Sequence, residues 1–139
     1  MLNKSDQEQV LSCIAAAEKL TSGELRVHLE AQCKKEPMLR AIEVFNQLGM
    51  QKTVQRNGVL IYLAYQDRQF AIVGDTGINQ RVANDFWDKV RDVMVMHFQK
   101  SQITEGLCAG LKLAGEKLAH YFPVLENDQN ELPDQISFG

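Results

Sequence analysis

The segment GVLIYLAYQDRQFAIVG, Gly58–Gly74, constrains this chain more than any other. Gly58–Tyr65 carries no charge and is rich in branched and aromatic side chains. A run of that kind reads as a strand covered on both faces. The polar link Gln66–Gln69 follows, and then the apolar FAIVG. Two strands joined by so short a link pair as an antiparallel hairpin. A doubly covered strand needs helices above and below its sheet, so the rest of the chain must supply two helical layers.

It does. Ser5 and Glu8 have the spacing of a capping box, and Val10, Leu11, Ile14 and Ala17 keep helical period to about Leu20. Thr21-Ser22-Gly23 stops that helix. ELRVHLE, Glu24–Glu30, alternates, which predicts a strand with one face wetter than the other. Pro37 suits the first turn of a second helix with the stripe Ala41, Ile42, Phe45 and Leu48, closed by Gly49. Residues 80–98 and 103–121 read as two further helices. In the last one, Leu107, Leu111, Ala114 and Leu118 face inward, and Gly106, Gly110 and Gly115 mark close helix contacts. The order α-β-α-β-β-α-α predicts an α/β fold, a three-layer αβα sandwich around a small mixed sheet. Residues 1–125 form one domain. The acidic tail 126–139 either packs through Leu132, Ile136 and Phe138 or stays mobile.

Composition excludes several classes. The net charge is −3 and the pI about 5.6, which argues against a general nucleic-acid binder. No apolar run reaches the roughly 18 residues of a membrane span. The first twenty residues are interrupted by acids and glutamines, so they do not read as a secretory signal. Cys13, Cys33 and Cys108 are scattered and lack CxxC spacing. They read as three reduced thiols of a cytoplasmic protein, with no disulfide framework.

The chemistry concentrates in GDTGIN, Gly74–Asn79. If the first two strands are parallel neighbours and the third runs back, the start of strand one, the start of strand two and the end of strand three share one sheet edge. Those ends carry Glu24, Asn57-Gly58 and Gly74-Asp75, with Asn79, Asn84 and Asp85 close behind. Carboxylate and amide oxygens on such a rim suit a hard cation, calcium or magnesium. The competing reading is structural: Asp75 and Asn79 cap a helix and a turn. The DxDxDG spacing of an EF-hand is absent.

The order SGE before a strand, AIEVF in a helix, NGVLIYLAYQDRQFAIVGDTG, FW and a final helix with EGL resembles the TPM domain. That family is named after a thylakoid lumen protein, a photosystem II repair protein and a modulator of an acetylcholine receptor. The resemblance runs from Thr21 to about Pro123, and the tail NELPD is similar to that of small soluble bacterial members. It implies an αβα sandwich, divalent-cation binding, often of calcium, and for some plant relatives acid phosphatase activity. Glu24 falls on the acid that opens the first strand, Asn57-Gly58 on the NG before the second, and Gly77 on a glycine after the third. Asn84 stands where many relatives carry aspartate. That removes one formal charge, unless Asp85 substitutes. Many relatives also carry a signal peptide and a membrane anchor, and a cytoplasmic stand-alone form is expected here.

No nucleophile motif accompanies the rim. The cysteine-phosphatase spacing, DxDxT, GxSxG and GxxxxGK[ST] are all missing, and His28, His97 and His120 fall in separate elements. Three functions follow: a cation-binding regulatory or interaction module, a metal-assisted phosphatase-like hydrolase, or a metal-independent module that binds a membrane-associated protein.

Overall fold

The computed structural model describes residues 2–124 and 136–139. Helix α1 (Lys4–Glu18) leads to β1 (Glu24–Glu30), α2 (Pro37–Gln47) and a 3-10 turn (Met50–Lys52). The hairpin of β2 (Gly58–Ala64) and β3 (Gln69–Gly74) follows. Then come the short α3 (Thr76–Asn79), α4 (Asp88–Phe98), α5 (Ile103–Ala119) and β4 (Ile136–Phe138).

The sheet runs β3-β2-β1-β4. β1 and β2 are parallel and joined through α2, with Glu24 opposite Gly58. β2 and β3 are antiparallel, with Val59 opposite Gly74. Alternation sorts the side chains into two cores. Leu25, Val27, Leu29, Val59, Ile61 and Leu63 pack with the apolar stripes of α1, α4 and α5. Leu60, Tyr62 and Ala64 pack on the other face with Ala41, Val44 and Phe45 of α2. This is the three-layer sandwich, and it explains why β2 has no polar side. Gly106 and Gly110 lie against Phe98 and Met94 of α4, and Gly115 against Ala17 of α1.

Five local expectations change. The capping box of α1 is built by Asn3 and Asp6 rather than Ser5 and Glu8, with Asp6 N donating to Asn3 Oδ1 at 2.8 Å. Leu2 is buried, and Gln7 Nε2 donates to its carbonyl, which sets the helix entry earlier. The helix expected over residues 80–98 is interrupted: turns carry the chain from α3 to Trp87, and Asn84 and Asp85 sit in those turns. Ile78, Phe86 and Trp87 are all inside. Adjacent helical residues diverge by about 100°, so one continuous helix could not bury both Phe86 and Trp87 on a narrow stripe.

The polar face of β1 is not wet. Glu24, Arg26, His28 and Glu30 are as buried as the apolar residues between them. The tail also contributes structure. β4 extends the sheet parallel to β1, and Ile136 packs against the larger core. Leu132 lies outside the described residues. Finally, Cys13 and Cys108 are not two reduced thiols. They form a disulfide between α1 and α5, with their Cα atoms 5.5 Å apart. The two helices approach closely because Gly115 has no side chain to hold them off. Cys33 stays free. No helix among the described residues is long and apolar enough to cross a membrane.

Candidate functional site

The rim predicted from strand order exists. β1, β2 and the end of β3 meet there, and Asp75 N donates to Gly58 O at 3.0 Å. Glu24 and Asp75 are both almost fully buried on this border. The two glycines of GDTG have packing roles. A Cβ on Gly74 would stand 2.9 Å from Cζ2 of Trp87, so the bare backbone makes room for the indole. A Cβ on Gly77 would stand 2.6 Å from Arg56 O, the carbonyl that accepts from Gly77 N. Gly77 thereby clamps the end of β3 to the loop before β2.

Asp75 does two jobs. As N-cap of α3 its Oδ1 accepts from Thr76 N at 2.7 Å. The same carboxylate grips the Arg56 guanidinium, Oδ2 with Nε at 2.8 Å and Oδ1 with Nη2 at 3.0 Å. A two-point pairing of this geometry is the strong form of an Arg–carboxylate contact. The Arg56 side chain is 47% exposed, and its backbone is left-handed with φ 51°. A non-glycine residue holds that conformation only where the surroundings impose it.

The remaining predicted residues are spread more widely. Asn79 is exposed and donates from Nδ2 to Gly74 O at 3.0 Å, so it belongs to the rim as a turn cap. Asn84 is exposed in the turn before α4. Asp85 lines a hollow with Phe86, Lys117 and Tyr121 that neither Glu24 nor Asp75 lines. Among the described residues, no three His, Cys, Asp or Glu side chains form a group able to hold a metal.

A second polar cluster, which sequence reasoning missed, lies toward the other end of β1. Arg40 of α2 donates to both oxygens of Glu30 at 3.0 Å and to Glu43 at 2.7 Å. The Tyr62 hydroxyl also donates to Glu30, and the His28 ring stacks on Tyr62 with Nε2 3.2 Å from Glu30 Oε1. Burial pushes the Glu30 carboxyl up. The bonds from Arg40, Tyr62 and His28 outweigh that and hold it down at about 2. Burial also lowers His28 against the pull of Glu30, and burial raises Tyr62. Arg26, on the same face, is 3% exposed, and its Nε and Nη2 have no hydrogen-bond partner among the described residues. The signal in the sequence was charge of both signs on one face of the strand: Glu24 and Glu30 flank Arg26 and His28.

Residues 1–117 match the TPM domain family. The chain is similar to the BA42 protein of the psychrophilic bacterium Bizionia argentinensis, at 43% identity and a TM-score of 0.95. That likeness covers 100% of this chain and 96% of that one. The N-terminal domain of protein cg2496 from Corynebacterium glutamicum shares the fold at a TM-score of 0.65 and 12% identity, covering 98% of this chain and 80% of that one. So does the N-terminal domain of a protein from P. gingivalis, at 0.68 and 19%, covering 87% and 78%. No curated protein matches. A family match over most of the chain, and a close fold over all of it, together mean that the chain belongs to the TPM domain family.

Proposed function

We propose that this protein is a divalent-cation-responsive module, with a regulatory or interaction role, whose ion site is the rim of Glu24 and Asp75. Calcium is the first candidate and magnesium the second. The observation that carries the reading is that Asp75 already holds a cation. The Arg56 guanidinium stands where a hard ion would sit, bound by both carboxylate oxygens. Because Arg56 is half exposed and reaches in from a loop, it can leave without opening either core. A divalent ion in its place would draw on Asp75, on Glu24 across the register, and on the exposed Asn79 amide. Backbone carbonyls and water would complete the six to eight oxygens calcium prefers. With so few carboxylates, binding belongs at the weak end of the calcium range.

An amide NMR titration with calcium chloride, repeated with magnesium chloride, tests this. Saturable shifts are expected in residues 53–58 and 74–79. They should vanish in Asp75→Asn, and binding should tighten several-fold in Arg56→Ala, which removes the competing charge. A titration that Asp75→Asn leaves unchanged would overturn the reading.

A further inference from the structure

The larger core is not sealed at the hairpin end of the sheet, away from the rim. A cavity of about 180 Å³ opens there, lined by Leu63, Tyr65, Arg68, Phe98, Ser101 and Ile103. Leu63 belongs to the buried core, and Tyr65, Phe98 and Ile103 pack against it. These walls are held in place. The Phe98 ring stands edge-on to Phe70, with centroids 5.3 Å apart. Gly106 backs it so closely that a Cβ there would lie 2.5 Å from Phe98 Cε1.

The charge at the cavity has one sign. Arg68 brings a guanidinium, Tyr65 and Ser101 bring hydroxyls, and no acid is among the lining residues. The acid next to Arg68 in sequence is engaged elsewhere: Asp67 Oδ2 accepts from Cys33 N at 2.7 Å. Among the described residues, no hydrogen bond or ion pair occupies the Arg68 guanidinium. The backbone supplies a separate observation. Arg68 at φ 54° and Ser101 at φ 60° are left-handed, and among the described residues Arg56 of the rim is the one other non-glycine residue with positive φ. Glycine is the ordinary occupant of that conformation. Arg68 and Ser101 come from different turns, one between β2 and β3 and one between α4 and α5. Each keeps a side chain where its backbone favours none, and both line the same cavity.

We propose that this cavity binds a small aromatic monocarboxylate, with the ring against Leu63, Phe98 and Ile103 and the carboxylate on Arg68. Size sets the class. A cavity of about 150 Å³ lined by Leu, Ile and Phe takes one benzene ring, so this one suits a single ring with its carboxylate. Arg68 is exposed, so its ion pair is the hydrated, weak form, worth about threefold to fivefold in affinity. Burial of the ring supplies the rest. A ligand of so few atoms binds with a Kd on the order of millimolar. The site shares no residue with the Glu24 and Asp75 rim and needs no cation.

The test is an NMR titration of the protein with sodium benzoate. It is followed on the amides of Arg68, Ser101 and Ile103 and on the methyl groups of Leu63 and Ile103. Benzamide, similar in shape but uncharged, and acetate, charged but without a ring, are the controls. Saturable shifts at these residues are expected with benzoate. Benzamide should bind about threefold to fivefold more weakly, and acetate about tenfold or more weakly. Arg68→Gly suits the left-handed backbone and therefore folds. It should bind benzoate about threefold to fivefold more weakly and no longer distinguish it from benzamide. No saturable shift at tens of millimolar benzoate would overturn the proposal. So would equal affinity of wild type for benzoate and benzamide, or a preference for benzoate that Arg68→Gly retains. Shifts centred on residues 53–58 and 74–79 would overturn it too, because the anion would then sit on Arg56 of the rim.

Discussion

Glu30 keeps its charge where burial alone would neutralise it. Three donors hold the carboxylate, and its affinity for a proton falls to about 2 from an ordinary 4.5. On acidification the unfolded chain takes up a proton below about pH 4.5. The folded chain refuses it until about pH 2. The stabilisation is therefore complete above pH 4.5 and is lost as pH falls through that window, at most about 3 kcal/mol. His28 acts in the same direction higher up. Its depressed value means that stability starts to fall once pH drops below the ordinary 6.5. Urea unfolding at pH 7 and near pH 2 checks the carboxylate. Glu30→Gln should cost about 3 kcal/mol at pH 7, because Arg40 and His28 lose their anion, and little near pH 2. An equal cost at both pH values would assign the loss to packing. The alternation of ELRVHLE was legible in the sequence, but the burial of its polar side was not. Burial there depends on Arg40 and Tyr62, which are distant in sequence and reach Glu30 only once α2 and β2 are in place.

At the scale of elements, α1 and α5 are joined covalently as well as by packing. Gly115 lets the two backbones approach at Ala17, and the Cys13–Cys108 bond ties residues separated by 95 positions. A cross-link over so long a loop restricts the unfolded chain, by about 4–5 kcal/mol in the entropic treatment and often by less in practice. Reduction with dithiothreitol, or Cys13→Ser with Cys108→Ser, should lower urea stability by about 2–4 kcal/mol. It should also steepen the urea dependence, because the released unfolded chain exposes more surface. An unchanged midpoint would mean that the thiols are not paired in solution. Helix identity was readable from apolar spacing, whereas this pairing was not. Cys13 and Cys108 lie in different helices, and nothing local announces which faces meet. The break before Trp87 was hidden for a related reason: spacing from Val82 to Phe86 and Val90 is helical, whereas the seat of Trp87 over Gly74 is a tertiary contact that spacing does not show.

At the scale of the whole molecule, strand position decides what can open. β2 has a partner on each side and a core on each face, and the uncharged run of its sequence already indicated that place. β4 has one partner and three paired residues. Local opening free energies in one protein range from near zero at frayed ends to the global value in the central strands. The Ile61 and Leu63 amides should therefore exchange hydrogen only through global unfolding, at about 5–15 kcal/mol. The Gly139 amide, bonded to Leu29 O, should exchange through release of the tail alone, at about 2 kcal/mol or less. Native-state exchange followed by NMR in rising urea separates the two, since global opening depends steeply on denaturant and release of four residues hardly at all. If Gly139 follows Ile61 at every urea concentration, β4 belongs to the cooperative core. If Gly139 exchanges early, together with Val27 and Leu29 on the edge it covers, while Arg26 and His28, whose backbone faces β2, stay protected, the tail opens with the domain intact.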